Sequence, residues 1–235
     1  MAGYLLLEGG AEFGGRMSEP DLRAIELAGG FDVPIAIIPT AAAPDKNHNR
    51  AGNFGLNWFL RLGAKQVSIT GVIDKKTAND SALADQIRRA KIIYMLGGFT
   101  HYLAETLKES LCWSAAVEAY QNGAVIAGSS AGAMVMCEYY FDPSSRKVER
   151  GLNLVPNALV LPHHNTFGKN WANDLKKTLP EVFLLGIDER TGMLSTNTGG
   201  TEVQWEVSGG GGVTLYRGES MVGYGRGESF QLKIS

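Results

Sequence analysis

The chain is poor in the residues that bind metals or form disulfide frameworks. It has only two cysteines and four histidines among 235 residues. Cys112 and Cys137 lack the C-x-x-C spacing of redox and metal motifs, so both thiols are expected to be reduced. His163 and His164 are adjacent, but neighbouring side chains on an extended chain point to opposite faces, and no further Cys or close His completes a ligand set. No metal site is predicted.

The chain also lacks an excess of positive charge and a long apolar run. The formal net charge is −2 and no basic stripe is present, so neither nucleic acid nor a membrane surface is an expected partner. No apolar run approaches the roughly 20 residues that span a bilayer. The N-terminal residues have neither the charged start nor the cleavage site of a signal peptide, and the cytoplasm is the expected compartment.

What the chain does have is a regular alternation of apolar runs and helical patterns. Strands are predicted at residues 4–7, 34–39, 66–69, 92–96, 124–127, 158–161 and 184–187. Helices are predicted from residue 18 and over residues 51–62, 81–89, 102–107 and 113–121. Several strands are continuously apolar, as expected when helices cover both faces. The pattern predicts an α/β fold with a doubly wound, mostly parallel sheet.

Short strand-like runs near the C-terminus predict a small antiparallel extension of this sheet. They cover residues 201–207, 213–216 and 221–223, and glycine-rich turns separate them. Only 23 residues follow the glycine run at 209–212, too few for an independent unit. Residues 1–235 are therefore expected to form a single domain.

The segment GSSAG at residues 128–132 follows one of the buried strands and fits the G-x-S-x-G pattern. In such an elbow a sharp strand-to-helix turn presents a nucleophilic serine, here Ser130. The following amides point toward an oxygen held at the helix N-terminus. By itself the segment is equally consistent with an ordinary strand–helix turn or a phosphate-binding loop.

A histidine pair and a carboxylate pair follow the two predicted strands that come next. His163 and His164 follow the strand at 158–161, and Asp188 and Glu189 follow the strand at 184–187. Catalytic groups gather at the carboxyl ends of the strands in open α/β sheets. A serine needs a base that a third group orients, and one histidine and one carboxylate are expected to meet Ser130 at one edge of the sheet.

Two glycine-containing turns lie at the same predicted edge. Gly97 and Gly98 follow the strand at 92–96, and the amides of Gly98 and Ala131 together can form an oxyanion hole. An ordinary strand–helix turn is the alternative. Residues 8–15 do not fit the dinucleotide pattern G-x-G-x-x-G and are predicted to form a glycine-rich turn near the site. The chain order Ser, His, acid disfavours an α/β-hydrolase, which has the order Ser, acid, His.

Together these motifs resemble the serine peptidase family of dipeptidase E and cyanophycinase, over residues 5–216. The resemblance implies a fold similar to class I glutamine amidotransferases, with serine in place of the amidotransferase cysteine. It implies Ser130 as nucleophile, His163 as base, Glu189 as third member, and Gly98 and Ala131 as oxyanion donors. Hydrolysis of a short peptide or isopeptide through an acyl-enzyme is expected, without a metal or cofactor. His164 and Asp188 stay open as alternatives for the base and the acid.

Five residues near the predicted site are expected to contact substrate: Phe99, Thr100, His164, Lys169 and Arg190. Phe99 stands where family members carry Asn or Asp, and no arginine follows His163 closely. Lys169, Lys176 or Arg190 is the expected replacement for those arginines, although lysine lacks their bidentate fork. A non-peptide amidase or esterase and a catalytically silent binding module are the alternative functions. The oligomeric state stays open, with a homodimer as one possibility.

Overall fold

The computed structural model describes residues 2–196 and 202–233. The strands in this part of the chain are β1 (Tyr4–Glu8), β2 (Pro34–Ile38), β3 (Gln66–Ile69), β4 (Ile92–Met95), β5 (Val125–Ser129), β6 (Cys137–Asp142), β7 (Lys147–Arg150), β8 (Val155–Leu161), β9 (Phe183–Ile187), β10 (Thr191–Ser195), β11 (Glu202–Gly209), β12 (Val213–Arg217), β13 (Ser220–Tyr224) and β14 (Ser229–Lys233). The α-helices are α1 (Ser18–Ala28), α2 (His48–Leu62), α3 (Ser81–Arg88), α4 (Thr100–Leu107), α5 (Leu111–Gln121), α6 (Ala131–Met136) and α7 (Ala172–Thr178).

The strands form two sheets. The first has the order β3-β2-β4-β5-β1-β10-β11-β14. Its strands from β3 to β1 are parallel, and the remaining pairings are antiparallel. The second sheet has the order β7-β6-β8-β9-β12-β13, with a parallel centre of β6, β8 and β9. The predicted α/β class and mostly parallel sheet are confirmed.

The strands before His163 and before Asp188 lie in the second sheet, not in the same sheet as β5 as predicted. A parallel connection within one sheet needs a dozen or more residues, whereas α6 has only six. The chain leaving β5 therefore cannot return to a position beside it. It crosses to start the second sheet with β6, and β8 and β9 follow there. The chain returns to the first sheet between β9 and β10, through residues 188–190.

Helices cover both faces of the first sheet. On one face α1 and α2 bury Ile25 and Phe59 against Leu6 and Ile37. On the other face α3 to α6 and the second sheet share one apolar cluster that includes Leu103, Met134 and Val160. Alternate residues of β8 point to the far side of the second sheet, where Leu159 and Leu161 pack against Leu175 of α7. The two sheets are therefore held by a common core.

Each of the seven strands predicted before residue 190 is present, with ends that differ by three residues or fewer. The strands β6, β7, β10 and β14 and the helix α7 were not predicted. The C-terminal runs are antiparallel as expected, but β11 and β14 extend the first sheet whereas β12 and β13 extend the second. Thr201, the predicted start of the first run, lies outside the described residues. Within the described ranges, no helix combines the length and apolar character needed to cross a membrane.

Candidate active site

Ser130 occupies the sharp turn between β5 and α6. Its backbone has φ 50° and ψ −110°, a conformation that residues with a side chain rarely adopt. The flanking glycines are needed for close packing. A Cβ at Gly128 would lie 2.6 Å from the carbonyl oxygen of Gly132, and one at Gly132 would lie 2.9 Å from the carbonyl carbon of Met95. The turn has the geometry of a nucleophile elbow.

A chain of hydrogen bonds links Ser130, His163 and Glu189. Ser130 Oγ lies 3.1 Å from His163 Nε2, and His163 Nδ1 lies 2.8 Å from Glu189 Oε1. Both distances fall within the range for a nucleophile, its base and the group that orients the base. The three side chains predicted to act together therefore form one continuous chain, with His163 in contact with both of the others.

Three successive carbonyls at the end of β1 hold the loops that carry these side chains. The carbonyl oxygens of residues 8, 9 and 10 accept hydrogen bonds from the amides of Ser130, His163 and Arg190, at 3.0, 2.6 and 2.9 Å respectively. Ser130 follows a strand of the first sheet, whereas His163 follows a strand of the second. The backbone after β1 thus aligns residues of the two sheets.

The ring of His163 packs against Gly10 and Phe167. Gly10 has φ 107°, and a Cβ at this position would lie 2.6 Å from His163 Nε2. The ring of Phe167 stacks on the imidazole, with 4.8 Å between centroids and 23° between planes. These contacts restrict the rotation of the imidazole and keep Nε2 directed at Ser130.

Glu189, rather than Asp188, contacts the base. The amide of Glu189 donates to Asn165 Oδ1 at 2.9 Å, which fixes the loop beside His163. Asp188 Oδ2 instead accepts the amide of Gly212 at 3.0 Å. Burial by itself raises the pKa of Asp188, but hydrogen bonds from His164 and Gly212 outweigh this effect and lower the pKa. The alternative assignment to Asp188 is not supported.

His164 does not face Ser130. Its ring is buried, with Nε2 2.8 Å from the hydroxyl of Tyr216 and Nδ1 3.5 Å from Asp188 Oδ1. The two residues lie in the turn after β8, where His163 has φ 50°, and this turn directs the His163 ring at the serine and the His164 ring into the second sheet. The geometry therefore supports neither the predicted contact of His164 with substrate nor its alternative role as the base.

The amides of Gly98 and Ala131 are available to an oxyanion. Gly98 has φ 140°, and a Cβ there would lie 2.7 Å from the carbonyl carbon of Ala41. The next amide, that of Phe99, donates to Ala41 O at 2.8 Å, which fixes the turn. Among the residues that the structure describes, neither the Gly98 nor the Ala131 amide donates to a protein acceptor.

A cavity of about 770 Å³ adjoins Gly98 and is lined by Phe99 and Thr100. Phe99 is 42% exposed and can contact a bound molecule. Thr100 is buried, and its hydroxyl lies 3.6 Å from the sulfur of Met134. Thr100 therefore contributes to the wall of the cavity, but its hydroxyl is directed into the protein.

The two predicted cationic contacts are exposed. Lys169 lies in a short 3-10 helix, Gly168–Trp171, that follows the loop of the base. Arg190 directly follows Glu189. Within the described part of the chain neither residue forms an ion pair. Both charges are thus free to interact with an anionic group.

Sequence reasoning missed Glu12, which lies in the glycine-rich turn after β1. Its Oε2 accepts a hydrogen bond from Ser129 Oγ at 2.9 Å. Its Oε1 would lie 3.3 Å from a Cβ at Gly97, and Ser130 Cβ lies at the same distance from that point. The turn was predicted to lie near the site, but no spacing in the sequence marks this carboxylate as part of it.

A buried carboxyl pair was also missed. Glu8 and Asp21 are almost fully buried behind the elbow. Tyr94 donates its hydroxyl to Glu8 Oε2, and Trp58 Nε1 donates to Asp21 Oδ2 at 2.8 Å. Burial raises the pKa of Glu8 well above its usual value and that of Asp21 to about 7. The remaining oxygen of each group has no other donor among the described residues, so a proton retained between the two carboxyls stabilises the pair.

Comparisons with known proteins agree with this geometry. Residues 5–203 match the model of peptidase family S51. The cyanophycinase of Geminocystis herdmanii (strain PCC 6308) is 29% identical over 231 residues, which cover 92% of this chain and 81% of that protein. The cyanophycinase of Thermosynechococcus vestitus is 27% identical over 200 residues, which cover 80% of this chain but only 61% of that protein.

Two solved structures resemble the chain. The crystal structure of a peptidase from an acI-B1 Actinobacterium has a TM-score of 0.85 and 30% identity, covering 99% of this chain and 98% of that one. A peptidase E-like protein of Listeria monocytogenes EGD-e has a TM-score of 0.60 and 18% identity, covering 96% and 99%, and it supports the fold alone. The family predicted from the sequence is confirmed. The chain belongs to peptidase family S51 and is a serine-type peptidase.

Proposed function

We propose that the chain hydrolyses a dipeptide or another short peptide through an acyl-enzyme on Ser130. The observation that carries the proposal is the continuous hydrogen-bond chain from Ser130 Oγ through His163 to Glu189, beside two amides without protein acceptors among the described residues. Because the two sheets each supply part of this arrangement, we also propose that residues 1–235 work as one catalytic domain.

The first half of the reaction forms the acyl-enzyme. Ser130 Oγ attacks the carbonyl carbon of the substrate while His163 Nε2 takes the hydroxyl proton. The carbonyl oxygen becomes an oxyanion that accepts hydrogen bonds from the amides of Gly98 and Ala131, each contributing on the order of 3 kcal/mol in the transition state. The imidazolium then donates its proton to the leaving amine as the C–N bond breaks.

The second half releases the acid product. His163 takes a proton from water as the water oxygen attacks the ester carbonyl, and His163 then gives this proton to Ser130 Oγ as the bond between the acyl carbon and Oγ breaks. Glu189 keeps the Nδ1 proton in place throughout and stabilises the imidazolium. No metal or cofactor takes part in any of these steps.

The surroundings of Ser130 suit a small, charged substrate. The cavity beside Gly98 offers space for one side of a short peptide. Lys169 and Arg190 are exposed cations near the loops of His163 and Glu189, and either can bind a substrate carboxylate. The relatives named as peptidases and cyanophycinases support a peptide or isopeptide bond as the target.

The test combines active-site labelling with a panel of aspartyl, β-aspartyl and neutral dipeptides. We expect a fluorophosphonate to label the wild-type protein, and we expect Ser130→Ala to abolish labelling and lower kcat by about 10³-fold or more. Ser220→Ala, on the exposed strand β13, is the control and should retain both. Dipeptide cleavage by Ser130→Ala at the wild-type rate would contradict the proposal. Ester turnover without any dipeptide cleavage would instead assign a non-peptide acyl hydrolase.

A further inference from the structure

Glu12 and Ser130 both lie next to Gly97. Glu12 Oε1 and Ser130 Cβ are each 3.3 Å from the position that a Cβ of Gly97 would occupy. The absence of a side chain at Gly97 therefore leaves a passage between the carboxylate and the nucleophile. A ligand atom bound at Glu12 lies within one residue's length of the carbonyl that Ser130 attacks.

The orientation of Glu12 is fixed by the elbow itself. Ser129 is fully buried in β5, directly before the nucleophile. Its Oγ donates to Glu12 Oε2 at 2.9 Å, which leaves Oε1 as the oxygen at Gly97. The carboxylate is thus held relative to the nucleophile by the residue next to it in sequence.

No cation neutralises this carboxylate within the described ranges of the chain. Arg190 packs on the same turn, with Cδ 3.8 Å from a Cβ at Gly15, but it does not come within ion-pair distance of Glu12. Behind the site lie the acidic groups Glu8 and Asp21, whose pKa values the charge of Glu12 further raises.

An unpaired negative charge beside the oxyanion hole opposes the reaction, because the tetrahedral intermediate also places negative charge there. A substrate that brings its own positive charge to Glu12 removes this repulsion. The arrangement therefore favours cationic substrates over neutral ones at the catalytic step as well as in binding.

The space beside Glu12 limits what the cation can be. A cavity of about 320 Å³ is lined by Glu12 together with apolar or small residues, including Phe13, Phe54 and Leu96. Its apolar walls strengthen an ion pair formed within it. In a peptide, only Cα separates the α-amino group from the carbonyl carbon of the first residue. The α-ammonium is therefore the cation that can meet Glu12 while that carbonyl is at Ser130.

We propose that Glu12 binds the free α-ammonium group of the substrate, so that the enzyme cleaves the first peptide bond of unblocked short peptides. This inference rests on the proposed function and adds the group that the site recognises. Glu12 acts as a specificity-determining residue, with Ser129 as the residue that positions it.

A matched pair of substrates tests the inference. One is an amino-acid p-nitroanilide with a free amine, and the other is the same compound N-acetylated. We expect the wild-type enzyme to prefer the free amine in kcat/KM by about 10- to 100-fold, as for a charge-assisted hydrogen bond. We expect its kcat/KM for the free amine to fall above about pH 8, as the substrate amine loses its proton, whereas the acetylated substrate should show no such fall.

Glu12→Gln has nearly the same shape without the charge. We expect it to bring the two kcat/KM values to within about threefold of each other by lowering the value for the free amine. Glu12→Asp, which keeps the charge, should restore part of the preference. Glu181→Gln, at an exposed carboxylate, is the matched control and should leave the preference unchanged.

Two results would overturn the inference. One is equal use of both substrates by the wild-type enzyme, and the other is an equal loss on both substrates in Glu12→Gln. Fluorophosphonate labelling of Ser130 in each variant distinguishes these failures from failure of the proposed function. If labelling persists, only the role of Glu12 is wrong. If the folded wild-type protein is neither labelled nor active, both proposals are wrong.

Discussion

The amide nitrogen of His163 lies 2.6 Å from the carbonyl oxygen of Gly9, although the two residues follow strands of different sheets. Gly9 follows β1 in the first sheet, and His163 follows β8 in the second. A hydrogen bond between backbone atoms therefore holds the loop of the base. This bond does not involve the imidazole of His163 or the hydroxyl of Ser130. Substitutions that move this backbone should change catalysis more than substitutions of the surrounding side chains.

Gly10→Ala tests this dependence. The added methyl group would overlap the His163 ring, and φ at this position is 107°. Because a displacement of about 1 Å can cost about 100-fold in rate, we expect kcat to fall by about that factor with a smaller change in KM. Gly30→Ala, also at a positive φ of 99° but with no atom near its Cβ, separates backbone strain from displacement of the base. Equal losses in the two variants, measured by steady-state kinetics, would contradict this explanation.

Glu189→Gln and Asp188→Asn distinguish the two adjacent carboxylates. Glu189 contacts His163 Nδ1, so its amide variant no longer favours the required tautomer, and we expect kcat to fall by about 10²- to 10⁴-fold. Asp188 contacts His164 and Gly212, so Asp188→Asn should reduce mainly the free energy of unfolding. The reverse order of the two kcat values would assign the third catalytic group to Asp188.

Tyr216→Phe tests the structural role of His164. Removing the hydroxyl leaves the buried Nε2 of His164 without its partner, and we expect a loss of about 1–3 kcal/mol in the free energy of unfolding. Urea denaturation measures this loss. The kcat/KM of the folded variant should stay close to that of the wild type, because His164 faces away from Ser130. A large fall in kcat/KM without destabilisation would indicate that His164 contacts substrate.

The buried pair of Glu8 and Asp21 predicts that stability falls as pH rises. Burial raises the pKa of Asp21 from its usual 3.8 to about 7, so the folded state binds more protons than the unfolded state between these values. The contribution of protonated Asp21 to the free energy of unfolding is therefore complete at pH values below about 4 and is lost as pH rises through about 7. Asp21→Asn should flatten this dependence, and Asp174→Asn, at an exposed carboxylate, should not. Urea denaturation at about pH 5 and about pH 8 measures the slope, and an unchanged slope in Asp21→Asn would contradict the prediction.

Alkylation of cysteines should not inactivate the enzyme. Cys112 and Cys137 are both free and buried, and burial raises the pKa of Cys112 to about 11 and raises that of Cys137 further. Neither thiol forms the reactive thiolate near neutral pH. We expect full peptidase activity after treatment with iodoacetamide under native conditions. Inactivation prevented by bound substrate would indicate a thiol at the site.

The sequence was sufficient to locate the seven strands before residue 190 and to place a serine, a histidine pair and a carboxylate pair after strand ends, because polar residues follow apolar runs at these points. His163 and Glu189 each follow such a run. The choice between His163 and His164 could not be derived from the pattern, because it depends on the turn after β8, in which His163 has φ 50°. The same holds for Asp188 and Glu189, and the family resemblance supplied the assignments that the structure supports geometrically.

Other features depend on distances that the local sequence does not encode. The division into two sheets follows from the short helix α6. The end of this helix could not be predicted, because apolar residues continue from α6 directly into β6. β10 contains glycine, threonine and serine, and it is a buried strand only because β1 and β11 lie on either side of it. Glu12 becomes part of the site only when the turn after β1 is placed beside the elbow.

The C-terminal strands connect parts of the molecule that the active site depends on. β11 and β14 form the edge of the first sheet, and β12 and β13, which lie between them in sequence, form the edge of the second. The last described segment of the chain therefore passes from the first sheet to the second and back, and it connects the two sheets covalently. Shortening this segment would loosen the alignment of Ser130 with His163 without removing any residue that touches either of them.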